Sequence, residues 1–267
     1  MALKSLVTII LIASRLSLGA EDNTVFGKAV LERYYDCCKP DCSWPARANF
    51  NRPIQVCSKD DNPLTDLNLG SSCGGGPSYP CSDQSPWAVN DTFSYGFVGA
   101  YLMEKARDAW CCACYELTFE NEELKGKKMV VQAHNSGFDV VAFNRFALAV
   151  PGGNTSYAGA CAARYGVSNA TFGIENEGVE KREDCDDLPE PLREGCRWRF
   201  DWYANTHHVK RVKCPTELTD RSQCIRNDED KIPEPGEDGT NTDAASTLGY
   251  STISLAILVA TALSFLL

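Results

Sequence analysis

Asp36 stands in the run Arg33-Tyr34-Tyr35-Asp36-Cys37-Cys38-Lys39-Pro40-Asp41-Cys42, between two tyrosines and three cysteines. The chemistry such a carboxylate offers is general-base catalysis, in which it takes a proton from a water held within hydrogen-bond reach. The neighbouring cysteines supply a means of holding it, because disulfides would pin the turn that carries it. An Asp on a loop is more often solvated or capping a turn, so the rest of the chain has to decide its role. The other reactive residue types offer less. His134, His207 and His208 are the only histidines, and the last two fall in a loop-like stretch. Cys111-Cys112-Ala113-Cys114 lacks the paired C-x₂₋₄-C arms of a structural zinc site. No metal and no cofactor are expected.

The elements that would position Asp36 read as mostly strands. Lys127–Ala133 is rich in β-branched residues, Cys114–Phe119 alternates, and Asn121–Gly126 between them reads as a turn. Phe143–Val150 is an apolar run stopped by Pro151-Gly152-Gly153, and Trp198–Tyr203 and Val209–Val212 are further strand candidates. Two helices are predicted. Asp91–Asp108 carries Phe93, Phe97, Ala100 and Tyr101 at helical spacing, and Asp186–Glu194 is a short helix ending near Gly195. Trp87, Trp110, Trp198 and Trp202 are expected in the core or against disulfides. Many short strands with turn-rich connections imply an all-β fold, a small barrel with long loops and a few short helices.

Both ends of the 267-residue chain read as address signals. Residues 1–20 carry Lys4, an apolar run and small residues at Gly19 and Ala20, the pattern of a secretory signal peptide. Residues 233–246 form an acidic linker with a small-residue attachment region, and residues 247–267 end in an apolar tail with no charge after it. That order fits a GPI-attachment signal better than a spanning helix. The folded domain is then 21–232, on the extracellular face of the plasma membrane or in the cell wall. The formal charge of −10 becomes more negative once Lys4 and Arg15 are removed, which argues against a nucleic-acid partner. Fourteen cysteines, all between Cys37 and Cys224, imply a disulfide framework formed in an oxidising compartment. Asn154 and Asn169 are sequons in loop-like sequence, and Asn90 is a third that follows an apolar run, which favours its burial.

The opening run resembles the active-site signature of glycoside hydrolase family 45, the small secreted endo-β-1,4-glucanases. The resemblance extends through Cys81-Ser82-Asp83-Gln84-Ser85-Pro86-Trp87, Gly96-Phe97, Trp110-Cys111-Cys112-Ala113-Cys114-Tyr115-Glu116, Pro151-Gly152-Gly153 and Cys196-Arg197-Trp198-Arg199-Phe200-Asp201-Trp202. It implies a six-stranded double-psi β-barrel with long disulfide-stapled loops and an open groove across one face. It also implies the pairs Cys37–Cys161, Cys38–Cys73, Cys42–Cys111, Cys57–Cys81, Cys112–Cys224, Cys114–Cys214 and Cys185–Cys196. Counting alone leaves roughly 10⁵ pairings open.

The family's reaction is inverting hydrolysis of β-1,4-glucan, which uses one carboxylate as base and one carboxyl group as acid. The resemblance makes Asp36 the base and places Arg33, Tyr34, Tyr35 and Trp44 along the groove as substrate-binding residues. Glu32 stands where a threonine is usual. The acid position falls on Ala147, with Arg145 at the preceding histidine, and alanine donates no proton. Asp139 resembles a second groove carboxylate and is the candidate auxiliary or substitute acid. The expected protein is thus a monomeric cellulase-like domain for β-1,4-glucan whose hydrolysis is weak or absent. The alternative is a true endo-β-1,4-glucanase of polysaccharide catabolism in which Asp139 compensates.

Overall fold

The computed structural model describes residues 25–137, 143–153, 158–204 and 206–236. Asp139, Asn154, the signal-like N-terminus and the apolar C-terminal tail lie outside the described residues. The chain separates at Pro235, and the unit ending there carries every element below. Its strands are β1 (Val25–Tyr34), β2 (Val56–Cys57), β3 (Tyr79–Pro80), β4 (Trp87–Ala88), β5 (Phe93–Tyr101), β6 (Cys114–Phe119), β7 (Lys128–Ser136), β8 (Arg145–Ala149) and β9 (Thr206–Val212). The helices are α1 (Ala158–Tyr165), α2 (Arg193–Trp202) and α3 (Thr216–Ser222).

Six strands run in the order β5-β7-β6-β9-β1-β8, and β8 pairs back onto β5. The pairs β1–β8 and β5–β7 are parallel and the others antiparallel. This is the six-stranded double-psi barrel with long disulfide-bonded loops. Closure removes the unpaired edges that an open sheet would expose. The interior is one apolar cluster that includes Leu31, Val98, Leu117, Met129, Phe146 and Leu148, all fully buried or nearly so. Burying a side chain of that size contributes about 1.5–3 kcal/mol. A second cluster, with Tyr35, Cys37, Cys161, Phe172, Val179 and Leu188, lies behind the Asp36 turn.

Four local expectations are corrected. Residues 93–101 form strand β5, not a helix, because Phe97, Val98 and Ala100 are buried between β7 and β8. A strand covered on both faces loses its alternation, and its apolar run then imitates a helical stripe. Residues 198–202 belong to helix α2, not a strand. Cys196, Trp198, Phe200 and Trp202 alternate with polar residues, but Trp198 and Trp202 stack one helical turn apart, ring centroids 6.4 Å apart. The helix expected at 186–194 is instead two 3₁₀ turns, Glu183–Asp187 and Glu190–Leu192, ahead of α2, with Pro189 and Pro191 interrupting the span. Gly195 lies inside α2 rather than ending a helix, and a Cβ there would come within 2.9 Å of Ser85. Finally, His207 and His208 sit in β9, not a loop, and His208 Nε2 is 2.7 Å from Glu120.

Candidate active site

Asp36 follows β1 by two residues, at the point where the chain leaves the barrel. Cys37 has φ 59°, in the left-handed region that costs a non-glycine residue energy. That turn brings the Cys38 N–H onto Asp36 Oδ1 at 2.9 Å. Cys37 is bonded to Cys161 of α1, Cys38 to Cys73 and Cys42 to Cys111. The Ser72 hydroxyl donates to the Cys37 carbonyl at 2.6 Å. Lys39, 5% exposed, donates to the carbonyls of Leu67 at 2.6 Å and Leu69 at 2.9 Å. Its ammonium also lies 3.4 Å from the ring centre of half-buried Trp44. The remaining disulfides, Cys57–Cys81, Cys112–Cys224, Cys114–Cys214 and Cys185–Cys196, complete the set of pairs implied by the resemblance.

Desolvation dominates the electrostatics of Asp36. Burial pushes its carboxyl up to about 6, against a smaller lowering by the Cys38 N–H. Asp41, the other acid of the run, is occupied by Arg47 at 3.2 Å and Arg107 at 3.1 Å, and accepts from the Ser136 hydroxyl at 2.7 Å. It ties the turn to β7.

Tyr34 is held by a chain of hydrogen bonds that sequence reasoning missed. Its hydroxyl lies 2.8 Å from His134 Nε2 and accepts from Asn135 Nδ2 at 3.1 Å. His134 Nδ1 lies 3.2 Å from Gln84 Oε1, while Gln84 Nε2 donates to the Gln55 carbonyl at 2.7 Å. The Gln84 oxygen can only accept, so Nδ1 carries the imidazole proton and Nε2 accepts from Tyr34. Burial pushes His134 down to about 3, which keeps the ring neutral. Burial and the nearby Asp36 charge both raise the Tyr34 phenol. The signal was present in the sequence as Gln84 and His134, but their meeting depends on barrel closure.

The structure moves Tyr35 away from the groove. It is 4% exposed and packs in the cluster behind the turn, so it supports Asp36 from within rather than touching sugar. Strand alternation explains this, because Tyr34 and Tyr35 face opposite sides. Arg33 is partly exposed, donates to the Glu177 carbonyl at 3.1 Å and lies over the Tyr203 ring at 5.5 Å. Asn90 is exposed rather than buried, as is Asn169.

Ala147 lies on β8, level with Glu32 of β1 on one side and Gly99 of β5 on the other. Alternation puts Arg145, Ala147 and Ala149 on one face with Val30, Glu32 and Tyr34. Arg145 Nε donates to Glu32 Oε2 at 2.7 Å, and Nη2 contacts the same oxygen. The Arg145 side chain is 8% exposed and that of Glu32 36% exposed. The Pro151-Gly152-Gly153 turn closes this corner. Val150 N–H donates to the Tyr34 carbonyl at 2.9 Å, and a Cβ on Gly153 would meet the Tyr34 nitrogen at 3.3 Å. Among the described residues no group of three His, Cys, Asp or Glu side chains could hold a metal ion.

The arrangement thus sets one desolvated carboxyl, Asp36, on a turn pinned by three disulfides, with no carboxyl on residue 147. The model of glycosyl hydrolase family 45 matches residues 27–225. A putative endoglucanase type K of Fusarium oxysporum is 41% identical over 231 residues, covering 85% of this chain and 60% of its own length. An endoglucanase of the springtail Cryptopygus antarcticus is 40% identical over 204 residues, covering 75% of this chain and 90% of its own. The crystal structure of cellulase from that Antarctic springtail superposes with a TM-score of 0.70 at 39% identity, over 75% of this chain and 98% of that one. The barrel, the Asp36 turn and these matches agree, and the protein belongs to glycosyl hydrolase family 45.

Proposed function

We propose that this chain is secreted, held at the outer cell surface by a GPI anchor, and binds β-1,4-glucan of a cell wall in a groove whose hydrolytic power is weak or absent. Asp36 is its base, and Arg33, Tyr34 and Trp44 contact the glucan. The observation that carries this reading is Ala147, a methyl group level with Glu32 and Gly99, at the position that the resemblance assigns to the proton donor. General acid catalysis contributes about 10²–10⁴-fold, so its loss leaves a site that still binds but turns over slowly. Seven disulfides among the described residues support passage through an oxidising compartment.

The test is a pair of measurements on the purified protein: retention on insoluble cellulose, and new reducing ends from a soluble cellulose derivative. Retention with few new ends is expected. Rapid release of reducing ends, abolished by Asp36→Asn, would replace this reading with that of a working endo-β-1,4-glucanase in which another group, such as Asp139, protonates the leaving oxygen.

A further inference from the structure

Glu32 is a second carboxyl group beside the empty acid position, and Arg145 holds it. Three observations define the arrangement. Glu32 and Ala147 are register partners in the parallel β1–β8 pair, so their side chains leave the same face one strand apart. Parallel neighbours lie about 4.8 Å apart, within the reach of a glutamate side chain. Tyr34 shares that face two residues along β1, and Asp36 follows it, so Glu32 and Asp36 flank the Tyr34 position. Arg145 then engages one oxygen of Glu32 through both Nε and Nη2. The guanidinium is almost entirely buried while the carboxylate keeps a third of its surface, so the pair is anchored from the protein side.

We propose that Arg145 is a positioning residue that silences Glu32, and that Glu32 is a latent proton donor for the glycosidic oxygen. The inference rests on the glucan-groove reading above. Two guanidinium N–H groups converge on Glu32 Oε2 and hold that carboxyl against Arg145. Released from Arg145, the Glu32 side chain is free to swing toward Ala147, its partner in the strand register. In the resulting step the Glu32 O–H passes its proton to the glycosidic oxygen as the C1–O bond breaks. A water attacks C1 from the opposite face and yields its proton to Asp36. Glu32 ends as the carboxylate, Asp36 ends protonated, and the new sugar end has inverted configuration. No oxidant, metal or further reactant enters.

The experiment compares the full chain with its Arg145→Met, Arg145→Gln and Arg145→Met/Glu32→Gln variants on two substrates. One is a soluble cellulose derivative, whose leaving alcohol needs a proton. The other is a dinitrophenyl β-cellobioside, whose leaving phenolate needs none. Release of Glu32 is expected to raise hydrolysis of the cellulose derivative about tenfold or more, a fraction of the full acid contribution. Hydrolysis of the dinitrophenyl glycoside is expected to stay level, and the gain is expected to vanish in the double variant. Arg145→Gln keeps a hydrogen-bonding group of similar reach without the charge, so it carries the test if Arg145→Met does not fold.

A gain on both substrates, or one that survives Glu32→Gln, overturns the proposal, because Glu32 would then not be the donor. No gain in folded variants that still bind cellulose and cleave the dinitrophenyl glycoside overturns it while leaving the groove reading intact. Wild-type protein that neither binds cellulose nor cleaves the dinitrophenyl glycoside removes the groove reading and the proposal with it.

Discussion

In the proposed reaction Asp36 is the base, and its environment sets the pH at which it can act. Burial raises its carboxyl to about 6, so the ionised form that accepts a proton is lost as the pH falls through that value. Cleavage of a dinitrophenyl β-cellobioside should rise with pH along a limb centred near 6 and disappear in Asp36→Asn. A limb near 4 would mean that the carboxyl is solvated. His134 acts in the opposite sense on stability. Its folded value of about 3 lies below the 6.5 of an exposed imidazole, so the unfolded chain binds the extra proton between them. Its contribution to stability is complete above about 6.5 and is lost on acidification, with a slope of up to about 1.4 kcal/mol per pH unit. Asp36 offsets part of this, because its raised value makes the folded state favour the proton between about 4 and 6. His134→Gln should flatten the acid-side loss in denaturant melts, and a profile unchanged from wild type would count against the buried neutral ring. At this scale Asp36 and Ala147 were singled out in the sequence through resemblance. The Glu32–Arg145 contact was not, because residues 113 apart meet only through the β1–β8 register.

The turn after β1 and the Pro151-Gly152-Gly153 corner are the elements that place the site. Three disulfides tie residues 37–42 to distant segments, so removing one costs more than local order. Replacing Cys38 and Cys73 together by serine should destabilise the domain by about 2–5 kcal/mol and weaken cleavage of the dinitrophenyl glycoside further than the melt explains. Unchanged turnover would show that the Cys37 turn alone holds Asp36. Gly153→Ala should lower glucan retention, since its Cβ would press on the Val150 carbonyl at 2.8 Å and on the Tyr34 backbone. Retention equal to wild type would mean that the corner yields without moving Tyr34. Strands β6, β7, β8 and β9 were legible from composition, whereas β5 and α2 were not. In β5 the cover on both faces erased the period of two. In α2 the spacing of Cys196, Trp198, Phe200 and Trp202 matched a strand and a helix at once, and only packing separated them.

For the molecule as a whole, the six-stranded closure and the disulfide pairs were foreseen through resemblance, not through counting, which leaves the pairing open. The address signals at both ends and the Asn154 sequon lie outside the described residues, whereas Asn90 and Asn169 are exposed on the domain. A phosphatidylinositol-specific phospholipase should release the protein from intact cells, and persistence on the membrane would argue for a spanning tail. The central claim is that this groove keeps its base and lacks its acid. The most direct test counts new reducing ends from a soluble cellulose derivative for wild type, Asp36→Asn and Ala147→Asp. Gly99 and Glu32 flank position 147 and leave the aspartate a small residue on one side. The account predicts little release by wild type or Asp36→Asn and a clear rise for Ala147→Asp. Strong release by wild type, lost in Asp36→Asn and not increased by Ala147→Asp, would contradict it.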